Sequence, residues 1–255
     1  MSDGPRKPLL DLARIAAAAG TVVMRHYAAG AAARLKDDRS PVTDADEEAE
    51  RLILARLSEA FPGVPVVAEE MMAAGAEVAA GPHFFLVDPL DGTREFLSGN
   101  GEFTVNIAEV RDGVPVTGVV YAPAKDRLFA GGLGLGAFEM AGDLSAARTI
   151  RVRQAPADGW VAVGSRRHND EKTAAYLKRF PVTDFISAGS SLKFCLVAAG
   201  EADIYARAGR TMEWDTAAGQ AVLMAAGGSM ALWDGTPFTY GKPGFENPGF
   251  VARGR

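Results

Sequence analysis

His83-Phe84-Phe85-Leu86-Val87-Asp88-Pro89-Leu90-Asp91-Gly92-Thr93-Arg94-Glu95-Phe96 decides how this chain is read. Phe84 to Val87 is a short apolar run of strand type. Proline lacks an amide donor and pulls the residue before it toward extended geometry, so the strand is expected to stop at Asp88-Pro89. Gly92 permits a positive φ. Thr93 is a good N-cap for a short helix through Arg94 and Phe96. Asp88 and Asp91 then stand at the end of a buried strand, beside the amide-rich start of a helix. Carboxylates hold hard cations and helix N-termini hold phosphates. The combination points to metal-assisted phosphoryl chemistry. Asp, Pro and Gly also serve any strand-to-helix turn, so the surrounding chain has to decide between the two readings.

Upstream, Leu9, Leu12, Ala16, Ala19 and Val23 recur at helical spacing and predict a helix from about Pro8 to Tyr27. Residues 30–39 read as a connection or hairpin. Thr43 or Asp44 caps a second helix, whose buried face is Ala45, Ala49, Leu52, Ile53, Leu57 and Ala60, and Phe61-Pro62-Gly63 stops it. Asp44, Asp46, Glu47 and Glu48 crowd its first turn. The helix dipole accounts for Glu47 and Glu48, while Asp46 stays open because a cap side chain can face a neighbouring site. Val64 to Ala68 is a strand that ends on Glu69-Glu70, and residues 71–81 read as a loop.

Downstream, residues 101–110 alternate, and Arg111-Asp112-Gly113 is a hairpin turn leading to a returning strand, Val114 to Tyr121. Further strands at 127–130 and 137–140 complete an antiparallel meander. The glycine-rich stretch 131–136 lacks both a following long helix and a Lys-Ser/Thr pair, so it is not a nucleotide P-loop. From about Thr149 strands and helices alternate: strands at 160–164, 182–186 and 202–206, helices at 170–180, after Gly189-Ser190-Ser191, and at 217–226. Two halves result, 1–148 and 149–255.

Composition narrows the function classes. An apolar fraction of 48% in 255 residues supports a core, and a net charge of -5 gives no case for duplex nucleic acid. The single cysteine, Cys195, excludes an internal disulfide framework and suits a reducing, cytoplasmic compartment. No apolar run is long enough for a transmembrane segment. His26, His83 and His168 are widely separated, so no zinc site is expected. Four carboxylates stand out as candidate metal ligands, Glu69, Asp88, Asp91 and Asp215, three of them at or just after predicted strand ends.

Glu69-Glu70, Asp88-Pro89-Leu90-Asp91-Gly92-Thr93 and Trp214-Asp215-Thr216-Ala217-Ala218-Gly219 together resemble the inositol monophosphatase superfamily of magnesium-dependent, lithium-sensitive phosphatases. The resemblance runs from Pro41-Val42-Thr43 to Asn247-Pro248-Gly249-Phe250. Residues 100–108 and 189–198 are similar to its CysQ-type branch, the 3'(2'),5'-bisphosphate nucleotidases. The fold this implies is a layered αβαβα arrangement, with an antiparallel α+β first half and an α/β second half. The resemblance implies two or three Mg²⁺ ions. Glu69, Asp88 and the Leu90 carbonyl would hold one, and Asp88, Asp91 and Asp215 a second. Gly92 and Thr93 would cradle the scissile phosphate. Thr93, Asp46 and Glu69 would form the catalytic set, with Glu69, Leu90, Asp91 and Asp215 also facing substrate. His168, Ser190, Lys193 and Arg207 match positions that face the nucleoside and its second phosphate. The implied reaction releases AMP and phosphate from adenosine 3',5'-bisphosphate, a by-product of sulfur assimilation. A broader inositol or sugar phosphatase and a phosphonucleotide-binding sensor are the alternatives. A homodimer and a peripheral position at the inner membrane stay open.

Overall fold

The computed structural model describes residues 6–30, 33–35, 41–165 and 170–255. The chain starts with α1 (Lys7–Ala29), β1 (Ala33–Leu35), β2 (Pro41–Thr43) and α2 (Asp44–Ala60). Next come β3 (Val66–Ala68), α3 (Glu69–Ala73), β4 (His83–Asp91) and α4 (Thr93–Leu97). The meander is β5 (Thr104–Arg111), β6 (Val114–Ala122), β7 (Arg127–Gly132), β8 (Gly136–Met140) and β9 (Arg148–Ile150). The second half holds β10 (Trp160–Gly164), α5 (Glu171–Leu177), β11 (Val182–Ser187), α6 (Leu192–Ala198), β12 (Ile204–Arg207) and β13 (Thr211–Met212). It closes with α7 (Ala217–Ala225), β14 (Ser229–Leu232), β15 (Glu246–Asn247) and β16 (Phe250–Arg253).

β3 to β9 form one seven-stranded sheet in sequence order, β3 parallel to β4 and the rest antiparallel. Because strand side chains alternate, this sheet has two apolar faces. Phe85, Val87, Val105, Ile107 and Val119 pack on Leu12, Ala16, Ala49 and Ile53 of α1 and α2. Phe84, Leu86, Ala108, Val120 and Phe129 pack instead with Leu192, Phe194, Ala218 and Val222 of α6 and α7. Gly118 and Gly131 let α7 lie close on that face: a Cβ at either would stand 2.5 Å from Ala218 O or 2.8 Å from Val222 Cα. Beyond α6 and α7 lies a second sheet, in the order β11-β10-β12-β16-β14, whose inner residues Val163, Tyr205, Phe250 and Ala252 share the same core. Its outer residues Ala162, Ile204, Ala206 and Val251 meet Tyr176 and Leu177 at α5. The order is therefore α, β, α, β, α, as the resemblance implied.

Three local expectations need correction. β4 does not stop at Asp88. It pairs with β5 through Asp88 opposite Asn106 and resumes at Asp91 opposite Thr104, with the register shifted between them. The irregularity falls where Pro89 has no amide to give to the ladder. Thr93 is the first helical residue of α4, and the N-cap is Gly92 at φ 90°. The stretch after Glu69 is not all loop, since α3 starts at Glu69 itself.

Candidate active site

Alternation along β4 and β5 directs Phe84, Leu86 and Asp88, and opposite them Ala108 and Asn106, toward the middle helical layer. Asp88 is 1% exposed, and its Oδ1 accepts the Leu90 amide at 3.0 Å. Burial raises its proton affinity well above the ordinary carboxylate range, and the charges of Glu69, Asp91 and Asp215 raise it further. Asp91 is pushed up to about 6 by burial and by Glu69, against the opposing pull of Lys193, the Ser191 amide and Arg207. Asp215, at the end of a 3-10 turn formed by Glu213–Asp215, is pushed to about 8 by burial, Asp91 and Glu69. Its Oδ2 accepts the Met212 amide at 2.8 Å. The four acids picked from the sequence thus feel one another across three separate elements. Among the described residues no three such side chains are yet drawn into a closed metal shell. The donor chemistry nonetheless fits a hard divalent cation: the candidate donors are all oxygens, and the burial and mutual repulsion that hold protons on the three aspartates are what a cation's charge offsets.

Asp46 faces this cluster from the start of α2. It is 2% exposed, and its Oδ2 accepts both the Thr43 amide at 2.8 Å and the Thr43 hydroxyl at 2.7 Å. Thr43 is the N-cap of α2, so one capping box fixes the carboxylate. Its Oδ1 accepts the Thr93 hydroxyl at 3.3 Å, which also reaches Leu90 O at 3.4 Å. The other first-turn acids point away: Asp44 and Glu47 pair with Arg34, and Glu48 with Arg25 and His26.

The second half closes over the cluster. Glu69, Asp91, Thr93, Ser190, Lys193, Arg207 and Asp215 line an open cleft of about 200 Å³, in which Gly92 stands beside Thr93. Lys193 looked like an exposed helix charge from sequence, but it is 3% exposed, donates to Ser190 O and lies over the Tyr205 ring at 5.4 Å. Arg207 is held by Gly209 O and Arg210 O, each at 3.3 Å. Burial lowers its proton affinity, but Tyr205, Asp215 and Asp91 outweigh that and keep it fully charged. Ser190 adopts φ 48° and accepts the Thr104 hydroxyl at 3.1 Å. His168 lies outside the described residues.

Several supporting residues carried no role in the sequence reading. Ser191 N–H donates to Asp91 Oδ2 at 2.6 Å, and the Ser191 hydroxyl donates to Asn106 Oδ1 at 2.6 Å. Glu50 caps α3 by accepting the Glu70 and Met71 amides at 2.8 and 2.9 Å, which fixes the helix that begins on Glu69. Glu102 accepts the Gly189 amide at 3.0 Å. The Thr43-to-Asp46 spacing is a capping-box pattern that sequence could have supplied. The other contacts join residues too far apart along the chain for spacing to reveal.

An ionisable oxygen cluster at a bulged strand, overlooked by a buried lysine and an arginine, defines a metal-dependent phosphatase of known type: the chain belongs to the inositol monophosphatase family, whose profile matches residues 6–249. More particularly, it is 42% identical over 246 residues to the 3'(2'),5'-bisphosphate nucleotidase CysQ of Salmonella typhimurium, covering 95% of this chain and 98% of that one. It is 44% identical over 216 residues to CysQ of Escherichia coli K12, covering 84% and 86%. The crystal structure of CysQ from Bacteroides thetaiotaomicron superposes with a TM-score of 0.82 at 35% identity, covering 99% of both chains.

Proposed function

We infer that the protein is a metal-dependent 3'(2'),5'-bisphosphate nucleotidase that hydrolyses adenosine 3',5'-bisphosphate to AMP and phosphate. One observation carries the reading: a single cleft holds both mutually repelling carboxylates and, beside them, the buried Lys193 and the charged Arg207. The first group suits cations and the second suits an extra phosphate. The relatedness to nucleotidases at 42–44% identity supports it.

Glu69, Asp88, Asp91, Asp215 and the Leu90 carbonyl are the residues that would hold Mg²⁺, as two or three ions. When bound, such ions neutralise charge at phosphorus and make hydroxide accessible near neutral pH. The protein's own groups do the rest. Thr93 accepts a hydrogen bond from the attacking water and passes a proton toward Asp46, whose other oxygen Thr43 already occupies. The water attacks phosphorus in line with the 3'-oxygen, and that P–O bond breaks. The amides of Gly92 and Thr93 face the scissile phosphate and favour its growing charge. Lys193, Arg207 and Ser190 hold the phosphate that does not react. No helix among the described residues is long and apolar enough to cross a membrane. We place the enzyme in the cytoplasm, where a buried free thiol such as Cys195 is stable.

Phosphate release should be measured with Mg²⁺ on adenosine 3',5'-bisphosphate, its 2',5' isomer, inositol 1-phosphate, fructose 1,6-bisphosphate and AMP. The two bisphosphonucleotides are expected to react fastest, and AMP not at all. A preference for inositol 1-phosphate would overturn the assignment.

A further inference from the structure

Asn106 is an anomaly in the middle of the molecule. It is 1% exposed, on β5, the third strand of the seven-stranded sheet, on the face packed against α6 and α7. Its Oδ1 is engaged by the Ser191 hydroxyl, yet its Nδ2 is a buried donor with no partner. Leaving a buried amide nitrogen unpaired costs about 1–3 kcal/mol, so an apolar residue would serve packing better. Its cross-strand neighbour on β6 is Val120, which has nothing to accept with. Its cross-strand neighbour on β4 is Asp88, and directly opposed residues of an antiparallel pair point their side chains to the same face.

The orientation of the amide is fixed from the other side. Thr104, 0% exposed, shares a hydrogen bond of 2.8 Å with the Ser191 hydroxyl. That hydroxyl passes its proton to Asn106 Oδ1 at 2.6 Å. With the Ser191 hydroxyl donating to Oδ1, the amide nitrogen is left for the other side of the side chain, where an Asp88 carboxylate ionised by a bound cation would accept it. We propose that Asn106 is a positioning residue for Asp88: held by Ser191 and Thr104, it offers its amide nitrogen to the Asp88 carboxylate and sets the direction in which those oxygens face the cleft. The same Ser191 holds Asp91 through its backbone amide. One buried relay therefore aligns both aspartates from the start of α6, the helix that also carries Lys193. The inference rests on the metal-dependent reading of the cleft.

The test is a thermal-shift titration with MgCl₂ at constant ionic strength, without substrate, on wild type, Asn106→Leu, Ser191→Ala and the double variant. Wild type should be stabilised saturably by Mg²⁺. Its failure to respond would count against the metal-dependent reading itself. Asn106→Leu should weaken the apparent Mg²⁺ affinity about tenfold, the usual scale for a group that orients a ligand. Ser191→Ala, which releases the amide to rotate, should give a smaller loss in the same direction. The metal-free Tm of the double variant should stay near wild type, because both partners of one bond are replaced by apolar groups of similar shape. A merely structural role gives the reverse pattern, with a depressed metal-free Tm and unchanged Mg²⁺ affinity, and that result overturns the proposal. If Asn106→Leu does not fold, Ser191→Ala decides alone: unchanged affinity there rejects the relay.

Discussion

Lys193 shows how far a single residue departs from its sequence context. In the string Ser-Leu-Lys-Phe-Cys it reads as the solvent-facing position of a helix, yet the helix is sandwiched between two sheets and every one of its residues is buried. Its ammonium group lowers the proton affinity of Asp91, so it acts on the carboxylate cluster as well as on the second phosphate proposed for it. Arg207 does this less directly. Lys193→Ala should therefore lower kcat/KM on both adenosine 3',5'-bisphosphate and inositol 1-phosphate, and Arg207→Ala chiefly on the bisphosphate. A charge-assisted hydrogen bond lost from substrate is worth about 1.5–3 kcal/mol, or roughly one to two decades in rate. Steady-state kinetics on both substrates measures this, and equal losses for Arg207→Ala on the two would remove it from the second-phosphate pocket. Asp88, Asp91 and Asp215 could be proposed from sequence because their motifs are local. Asn106 and Ser191 were not given roles, because the contact between them spans 85 positions.

The elements that present the acids are short and depend on their caps. α3 spans five residues, Glu69–Ala73, too few to hold together unaided. It is fixed by Glu50, 5% exposed, about one helical turn beyond the Asp46 cap and on the same buried side of α2. Glu50→Ala should remove both amide partners and cost about 1–3 kcal/mol in chemical denaturation. It should also weaken Mg²⁺ binding through a misplaced Glu69. Unchanged Mg²⁺ affinity would mean that α3 is set by other contacts. Periodicity recovered α1, α2 and the meander to within a few residues because each has a repeating apolar face. It missed α3, which has none, and it ended β4 too early. Proline was read as a stop signal, whereas a sheet with a bulge accommodates it at the point where the ladder is already broken.

For the whole molecule, the clustered acids make stability depend on pH in a definite direction. Asp91 and Asp215, raised to about 6 and about 8, keep their protons in the folded chain. In the unfolded chain an aspartate loses its proton near pH 4. Between about pH 4 and 8 the folded state therefore binds more protons, and the metal-free protein should lose stability as pH rises through that window. On the proposed reading Mg²⁺ would bind the deprotonated groups, so the stabilisation it gives should grow over the same window. Melting curves at pH 5, 6, 7 and 8, with chelator and with Mg²⁺, check both trends. A metal-free Tm that rises across the window would show that the acids are already ionised. The layered architecture and the grouping of Glu69, Asp88, Asp91 and Asp215 were both reached through the family resemblance, but the burial of those acids could not be read, because it arises only when both sheets close on α6 and α7.

The Ser191-to-Asp91 hydrogen bond has a consequence for the order of events in time. It ties residues 100 positions apart, and the sheet behind α6 is complete only when β16 slots between β12 and β14. Contacts between distant residues must wait for long loops to close. During refolding, the local helices and hairpins of the first half should form first, and the cleft should be the last region to acquire its shape. Far-UV circular dichroism should then recover ahead of Mg²⁺-dependent phosphate release. Simultaneous recovery of the two signals would mean that the cleft is set in the same cooperative step as the sheets. If the lag is found, a nascent chain would carry the first three of its candidate metal-binding acids for much of its synthesis without being able to use them. Catalytic competence would then report the completion of the chain's final strand.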